Sequence, residues 1–346
     1  MRLCFLGDGR SIHMKKWMQY FQDTNEVHLI SMDYRDRMLD MGPKIEVHLV
    51  PRKFPNFPFN GRLIKRLVEE IKPDILHAHF ATHYGYWGAR TGFHPFVLST
   101  WGDDVLIHPR NIFLRPSVLA AIRGADLITT DGYNSRDAMI ALQPKRTLNI
   151  SIVSHGVKIR DYENHWNDLS NVVIYMRGFE PVYDWKTFVK VVPLVIKEIP
   201  EVQFLVLGGG HEEKKAKKAL VQYSQVDWIG QVPHSVASKY LGMSDVYVST
   251  AISEGGFALS MIEAMASGVV PVVTRVGDNA YAKGLFMGSV CSTDNPRNVA
   301  NAIVYWLRNP NERLEAAKYN MKFVELVQDY RINMDKMDKL YRGLLK

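Results

Sequence analysis

The sequence predicts an α/β protein made of two doubly wound domains, each with a parallel sheet. Three observations carry this. Short apolar runs of strand length alternate with helix-patterned segments along the whole chain, the order that builds parallel sheets. The alternation stops in a polar, irregular stretch at residues 158–171 and restarts at Val172. The chain has 346 residues and 47% hydrophobic content, enough for two cores of ordinary size.

Arg2-Leu3-Cys4-Phe5-Leu6 is the first strand. Gly7-Asp8-Gly9-Arg10-Ser11 follows, then a helical pattern through Trp17, Tyr20 and Phe21. Strand, glycine turn and helix open a doubly wound domain, and ligands gather at the carboxyl ends of such strands. The turn therefore faces a ligand site, with Gly9, His13, Lys15 and Lys16 in or beside it. It lacks the third glycine of a dinucleotide fingerprint, which argues against NAD. Residues 27–31 and 45–50 read as strands. Prolines within residues 54–59 exclude a strand interior, and a helix follows with Arg62, Lys65 and Arg66 beside Leu63, Ile64 and Leu67. That helix and its phenylalanine-rich approach suit a solvated face or docking on a lipid surface.

Further strands end near His79, Thr100 and Asp131, and residues 150–153 form the last before His155-Gly156. His77 and His79 share one face of their strand. Without a cysteine or second carboxylate cluster at zinc spacing nearby, a core role is preferred to metal binding. After Val172, strands are expected at residues 172–175, 202–207, 226–230, 245–250 and 269–274. Helices are expected from Trp185, over residues 298–307, and as one long helix over residues 311–345.

The stretch from Thr250 to Ala266 combines a strand end, Ser253-Glu254-Gly255-Gly256, and a helical run from about Phe257. A helix start offers unpaired amides and a partial positive charge, which suits a phosphate. Glu254 and Glu263 flank that place and suit sugar hydroxyls. A glycine turn before an ordinary core helix is the structural alternative.

Lys and Arg outnumber Asp and Glu by 43 to 36, and residues 1–150 hold 20 basic against 15 acidic residues. This mild, scattered excess suits anionic substrates or an anionic membrane surface, and is too weak to argue for nucleic acid. Cys4 and Cys291 are expected as buried free thiols in a reducing compartment. No apolar run is long enough for a signal peptide or a membrane span, so a cytoplasmic location is expected, at most peripheral at the inner face of the membrane.

With these residues in view, the chain resembles the retaining nucleotide-sugar glycosyltransferases of the GT-B fold, the large family that includes lipopolysaccharide and phosphatidylinositol glycosyltransferases. The match is best from Val226 to Thr274: Trp228-Ile229-Gly230, Ser244-Asp245-Val246, Ser253-Glu254-Gly255, Glu263-Ala264-Met265-Ala266-Ser267-Gly268 and Pro271-Val272-Val273. The resemblance implies two Rossmann-like domains with a cleft between them. Residues 1–157 would bind the acceptor, completed by a crossing helix at about 325–346, and residues 158–324 would bind the donor. It implies a UDP- or GDP-linked sugar as co-substrate, with no cofactor and no metal, and a saccharide or lipid-linked acceptor. Glu263 matches the carboxylate that binds the nucleotide ribose, and Glu254 the one that contacts the transferred sugar. Gly9, Arg177, Lys186, Gly209, Gly230, Gly255, Gly256, Phe257, Ala258 and Leu259 complete the implied donor site.

Three departures stand against the family pattern. Eight residues separate Glu254 from Glu263 where the family has seven, so Glu254 would need a bulge at Gly255-Gly256. Val182-Tyr183-Asp184 lies where the family has a phosphate-binding lysine, leaving Lys186 as the nearest substitute. Trp101 holds the place of a common histidine, so a base or hydrogen-bonding role passes to His13, His79 or Asp103. Lys15, Lys16, Trp101 and Asp104 are placed on the acceptor side. Asp103-Asp104 is read as acceptor binding or turn geometry rather than a metal site. Two other readings stand: a nucleotide-sugar epimerase of the same fold, and a catalytically degenerate transferase-like partner subunit.

Overall fold

The computed structural model describes residues 1–32, 38–50, 60–162, 171–281 and 284–346. The loop at residues 54–59 and the centre of the polar stretch at 163–170 lie outside the described residues. The chain divides into two compact units, Met1–Ser154 with Met334–Lys346, and His155–Asn333.

The first unit holds seven parallel strands: β1 (Arg2–Leu6), β2 (Glu26–Ser31), β3 (Ile45–Leu49), β4 (Ile75–His79), β5 (Phe96–Thr100), β6 (Leu127–Thr130) and β7 (Ile150–Ile152). Their order is β3-β2-β1-β4-β5-β6-β7. The second unit holds six: β8 (Val172–Met176), β9 (Gln203–Leu207), β10 (Val226–Gly230), β11 (Val246–Ser249), β12 (Val270–Thr274) and β13 (Ser289–Cys291). They run β10-β9-β8-β11-β12-β13, again parallel. The order reverses between β1 and β4 in one sheet and between β8 and β11 in the other, and a doubly wound sheet binds ligands beyond the strand ends at that reversal.

Each sheet is covered on both faces, which is why its strands read as continuous apolar runs. Helix Trp185–Glu198 shows the cause from sequence to packing. Asp184 starts it, accepting from the Thr187 amide at 3.4 Å, and Phe188, Val191, Val192 and Val195 recur at helical spacing and are buried. Cys4 and Cys291 are buried free thiols, and burial pushes the Cys291 thiol up to about 11.

The expected long terminal helix is broken. Helix Pro310–Phe323 passes into a π-helical turn at Val324–Gln328, Asp329 is extended (φ −64°, ψ 134°), and helix Tyr330–Leu344 follows. The break is made from outside the segment. Val157 donates to the Gln328 carbonyl and accepts from the Tyr330 amide, both at 2.9 Å, so its backbone takes the place of a helical turn. Gly156 (φ 64°) allows this approach, because a Cβ there would lie 2.6 Å from the Tyr330 Cα. Asp329 then starts the new helix, accepting from the Ile332 amide at 3.0 Å.

In the first unit, Tyr341 of that helix is buried and its hydroxyl bonds His77 Nδ1. His77 Nε2 lies 2.7 Å from Ser99 Oγ, so both ring nitrogens are used within the core. Gly343 is on the exposed side, with nothing within 4 Å of a built Cβ and no left-handed backbone. Gly343→Ala is therefore expected to stabilise the protein by about 0.5 kcal/mol, read as a melting rise of about 1–2 °C.

Candidate functional site

In the second unit, chemistry collects at the reversal between β8 and β11. Arg177 follows β8, and Glu254 lies in the loop after β11. Their side chains form an ion pair, Nη2 to Oε1, with only 9% and 15% exposure. Arg177 Nη1 donates to Ser260 Oγ at 3.1 Å, and Ser260 Oγ lies 2.8 Å from the Tyr247 hydroxyl. The guanidinium sits 4.2 Å from the centre of the Tyr183 ring. Its Nε is buried without a hydrogen-bond partner. Burial alone would disfavour this charge, but Glu254, then Tyr247, Tyr183 and Tyr175, hold it on, and the net shift is upward.

Two expectations about this loop are corrected. Gly255 and Gly256 do not use left-handed angles to bring Glu254 inward. Their neighbour Gly277 does the work: at φ 54°, its missing Cβ would sit 2.5 Å from Gly256 O and 2.7 Å from Glu254 Cβ. The Asp278 amide also donates to Gly256 O at 3.2 Å. Lys186 does not replace the absent lysine. It is exposed, its amine lies 5.8 Å from the Trp185 ring, and its charge acts on Glu212. The helix begun by Asp184 turns it to that side. Tyr183 takes the place beside Arg177 instead, held because Thr250 Oγ1 donates to the carbonyls of Tyr183 and Asp184 at 3.2 and 2.9 Å.

The helix after this loop spans Leu259–Ala266, two residues shorter at its start than expected. Ala258 precedes it without a side-chain cap, and its carbonyl accepts from the Met261 and Ile262 amides at 3.0 and 3.2 Å, so the amides before them carry the open end of the helix. Phe257 is instead an anchor, with its ring edge-on to Phe286 and Phe323. Glu263 is buried and accepts from His234 Nε2 at 2.7 Å. The Tyr162 hydroxyl lies 2.9 Å from the same nitrogen and also bonds Glu263. Gly209 and Gly230 close the strand-end surface: Gly209 O accepts from the Phe179 amide, and Gly230 O from the Gly208 amide, both at 2.9 Å.

In the first unit, a pocket of about 260 Å³ lies at the β1/β4 reversal, lined by Asp8, Arg10, Ser11, His79, His83, Tyr84 and Trp101 among others. His79 is 1% exposed, and neither ring nitrogen has a hydrogen-bond partner. Burial first, then the charges of His77 and His13, push this imidazole well below its ordinary value, so it is neutral at pH 7. Trp101 lies edge-on to both His79 (5.6 Å) and His13 (5.7 Å), so these three expected residues meet. Phe80 (φ 82°) and His83 (φ 52°) carry left-handed backbone at the rim. Strain of this kind persists only where the surroundings enforce it.

Other expected residues fall elsewhere. Lys15, Lys16 and Asp103 are not among the residues lining this pocket. Gly9 cannot offer its amide to a donor phosphate, because that amide donates to Ser31 Oγ at 3.1 Å. Asp104 cannot touch an acceptor. It is 0% exposed, and its two oxygens accept from the Ala81 and Trp101 amides at 2.7 and 3.0 Å. It positions the loops that carry His79 and Trp101. Asp104→Ala would leave two buried amides unpaired, with an expected cost of about 2–5 kcal/mol in denaturant unfolding. Burial raises this carboxyl to about 6. Its folded value lies above its unfolded one, so its contribution rises as pH falls from about 6 towards 4.

Sequence reasoning missed His234, Tyr162, Ser260, Gly208 and Gly277. Pro233-His234 at a helix start and the Gly208-Gly209-Gly210 run were the available signals.

Two doubly wound parallel sheets, each with polar residues gathered at its reversal, make up the GT-B architecture. Residues 2–132 match the family described as glycosyl transferase 4-like, and residues 160–323 match glycosyl transferases group 1. The chain belongs to these GT-B glycosyltransferases. Phosphatidyl-myo-inositol mannosyltransferase of Mycobacterium leprae is 25% identical over 268 residues, covering 73% of this chain and 70% of that one. The structure of Anabaena HepE in complex with UDP superimposes with a TM-score of 0.84 at 16% identity, covering 99% of this chain and 100% of HepE. Sucrose-phosphate synthase from Thermosynechococcus elongatus gives a TM-score of 0.80 at 17% identity, covering 99% of each chain. At these identities the two structures speak for the fold alone.

Proposed function

We propose that this glycosyltransferase moves a hexose from a nucleoside-diphosphate sugar to an acceptor hydroxyl with retention, without a divalent metal. The buried Arg177–Glu254 pair carries the reading. Breaking the sugar–phosphate bond builds negative charge on the departing diphosphate. Arg177 and the uncapped helix start at Leu259 supply fixed positive potential, the kind of term that dominates many enzymes. The donor would divide the pair: phosphate takes the guanidinium, including the unpartnered Nε, and Glu254 turns to the sugar. Glu263, held by His234 and Tyr162, would take the ribose.

The first-unit pocket is proposed as the acceptor site, with Trp101 and Tyr84 offering flat faces and the neutral His79 a hydrogen-bond acceptor. A lipid-linked acceptor fits a second feature. Ile112 and Phe113 are 75% and 84% exposed on a turn between Arg110 and Arg115, where Asn111 Oδ1 holds the Phe113 amide at 2.9 Å. An apolar tip flanked by cations suits an anionic membrane face on the cytoplasmic side. No helix among the described residues is long and apolar enough to cross a membrane. Tyr183 in the lysine's place favours the non-catalytic partner reading.

One experiment decides between them. HepE has been solved with UDP-glucose, so UDP-glucose leads a panel of UDP- and GDP-sugars tested for thermal stabilisation and nucleotide release. One donor is expected to stabilise the protein, and nucleotide release with EDTA present should rise when soluble or vesicle-borne acceptor is added. The product's anomeric configuration reports retention. Stabilisation without release would favour the non-catalytic partner. Release of an epimerised sugar without acceptor would favour an epimerase.

A further inference from the structure

Two short sequences repeat away from the pocket at the β1/β4 reversal: Glu26-Val27-His28 on β2 and Glu46-Val47-His48 on β3. The strands are adjacent and parallel, and their register pairs His28 with Glu46 and Ile30 with His48. Because side chains alternate along a strand, Glu26, His28, Glu46 and His48 share one face of the sheet. β3 is the edge strand.

We propose that His28, His48 and Glu46 form a zinc site that clips this edge strand to the sheet. His28 Nδ1 lies 3.1 Å from His48 Nε2. Glu46 Oε2 lies 3.5 Å from His28 Nδ1, and Glu46 Oε1 lies 3.6 Å from His48 Nε2. Zinc bonds of about 2.0–2.2 Å place neighbouring ligands of a tetrahedron about 3.3–3.5 Å apart. One donor atom from each of the three residues lies within 4.8 Å of the others, so small side-chain adjustments reach that spacing, and two imidazoles with one carboxylate suit zinc among the divalent cations.

The outer partner is present too. His28 Nε2 lies 3.0 Å from Glu26 Oε1, and Glu26 is held in turn by Arg2 Nε at 2.8 Å. Donation from Nε2–H to Glu26 leaves the Nδ1 lone pair facing His48 and Glu46, the arrangement that orients a zinc-binding histidine. His28 is 5% exposed, so its ring is fixed by packing.

The test uses the whole purified chain, stripped of metal, with zinc chloride titrated against a chromophoric chelator and cobalt as a spectroscopic substitute. One zinc per chain is expected at micromolar or tighter affinity, with a visible cobalt spectrum of four-coordinate type. His48→Ala and Glu46→Gln should each weaken zinc at least tenfold and abolish that spectrum. Glu26→Gln should weaken it by about 10–100-fold. Glu46 is exposed, so its variant keeps the test open should His48→Ala misfold. Equal zinc affinity in wild type and Glu46→Gln, or no binding by wild type at micromolar zinc, would overturn the site.

Discussion

Arg177→Ala is expected to lower turnover of a confirmed donor by about 10²–10³-fold, the usual consequence of removing one fixed donor from a developing anion. The guanidinium makes two hydrogen bonds with different groups, Nη2 to Glu254 and Nη1 to Ser260. Arg177→Lys keeps the charge but cannot hold both directions, so an intermediate loss is expected. Alanine also strands the Glu254 carboxylate, 15% exposed, without its cation. Removing one partner of a buried pair costs about 3–5 kcal/mol, and the lower end applies to a group that retains some water contact. Stability and rate therefore need separate measurement, by denaturant unfolding and by initial velocity at saturating donor. Glu254→Gln separates the two roles. It frees Arg177 of a competing charge, so affinity for the nucleoside diphosphate alone should hold or improve while sugar transfer falls. Unchanged transfer by Arg177→Ala would remove that residue from the chemistry.

The alternation of apolar runs and helix patterns made twelve of the thirteen strand positions legible. The exception, β13, is three residues long, too short to show a pattern. The break at Asp329 was hidden because nothing between Pro310 and Leu344 demands it. It comes from Gly156 and Val157, more than 150 positions earlier in the sequence. The site divided in a similar way. Arg177 and Glu263 match positions of a known pattern, whereas Glu254 stands one position off it, and the fold sets its carboxylate against Arg177. Lys186 is the nearest substitute by linear distance, but that distance does not tell that the second position of its helix turns towards Glu212 and the Trp185 ring. For Asp104, acceptor binding and turn geometry fit the sequence equally, and only the fold shows that two loop amides use it as a buried acceptor. The paired Glu-Val-His sequences gain meaning only from the register that sets His28 beside Glu46.

Gly208→Ala should be the most damaging single change outside the charged residues, although it removes no functional group. Gly208 has φ 126°, a region L side chains rarely adopt. A Cβ built there would lie 2.1 Å from the Arg177 carbonyl oxygen and 2.9 Å from its carbonyl carbon. Those atoms are backbone at the end of β8 and cannot swing aside as a side chain could. From the other direction, the Gly208 amide is tied to the Gly230 carbonyl at 2.9 Å. Either the end of β9 leaves β10, or Arg177 is pushed from its place against Glu254 and Tyr183. The expected result is a stability loss of roughly 3 kcal/mol or more, with transfer by the folded fraction reduced about 10²-fold, because small misplacements of a catalytic group are costly. Gly92→Ala is the control. Gly92 also has left-handed backbone (φ 69°), but nothing lies within 4 Å of its built Cβ. That variant should cost only the backbone strain, about 1 kcal/mol, and leave transfer intact. If both variants behave alike, the strand end does not position Arg177, and the clash at Gly208 is relieved elsewhere in the loop.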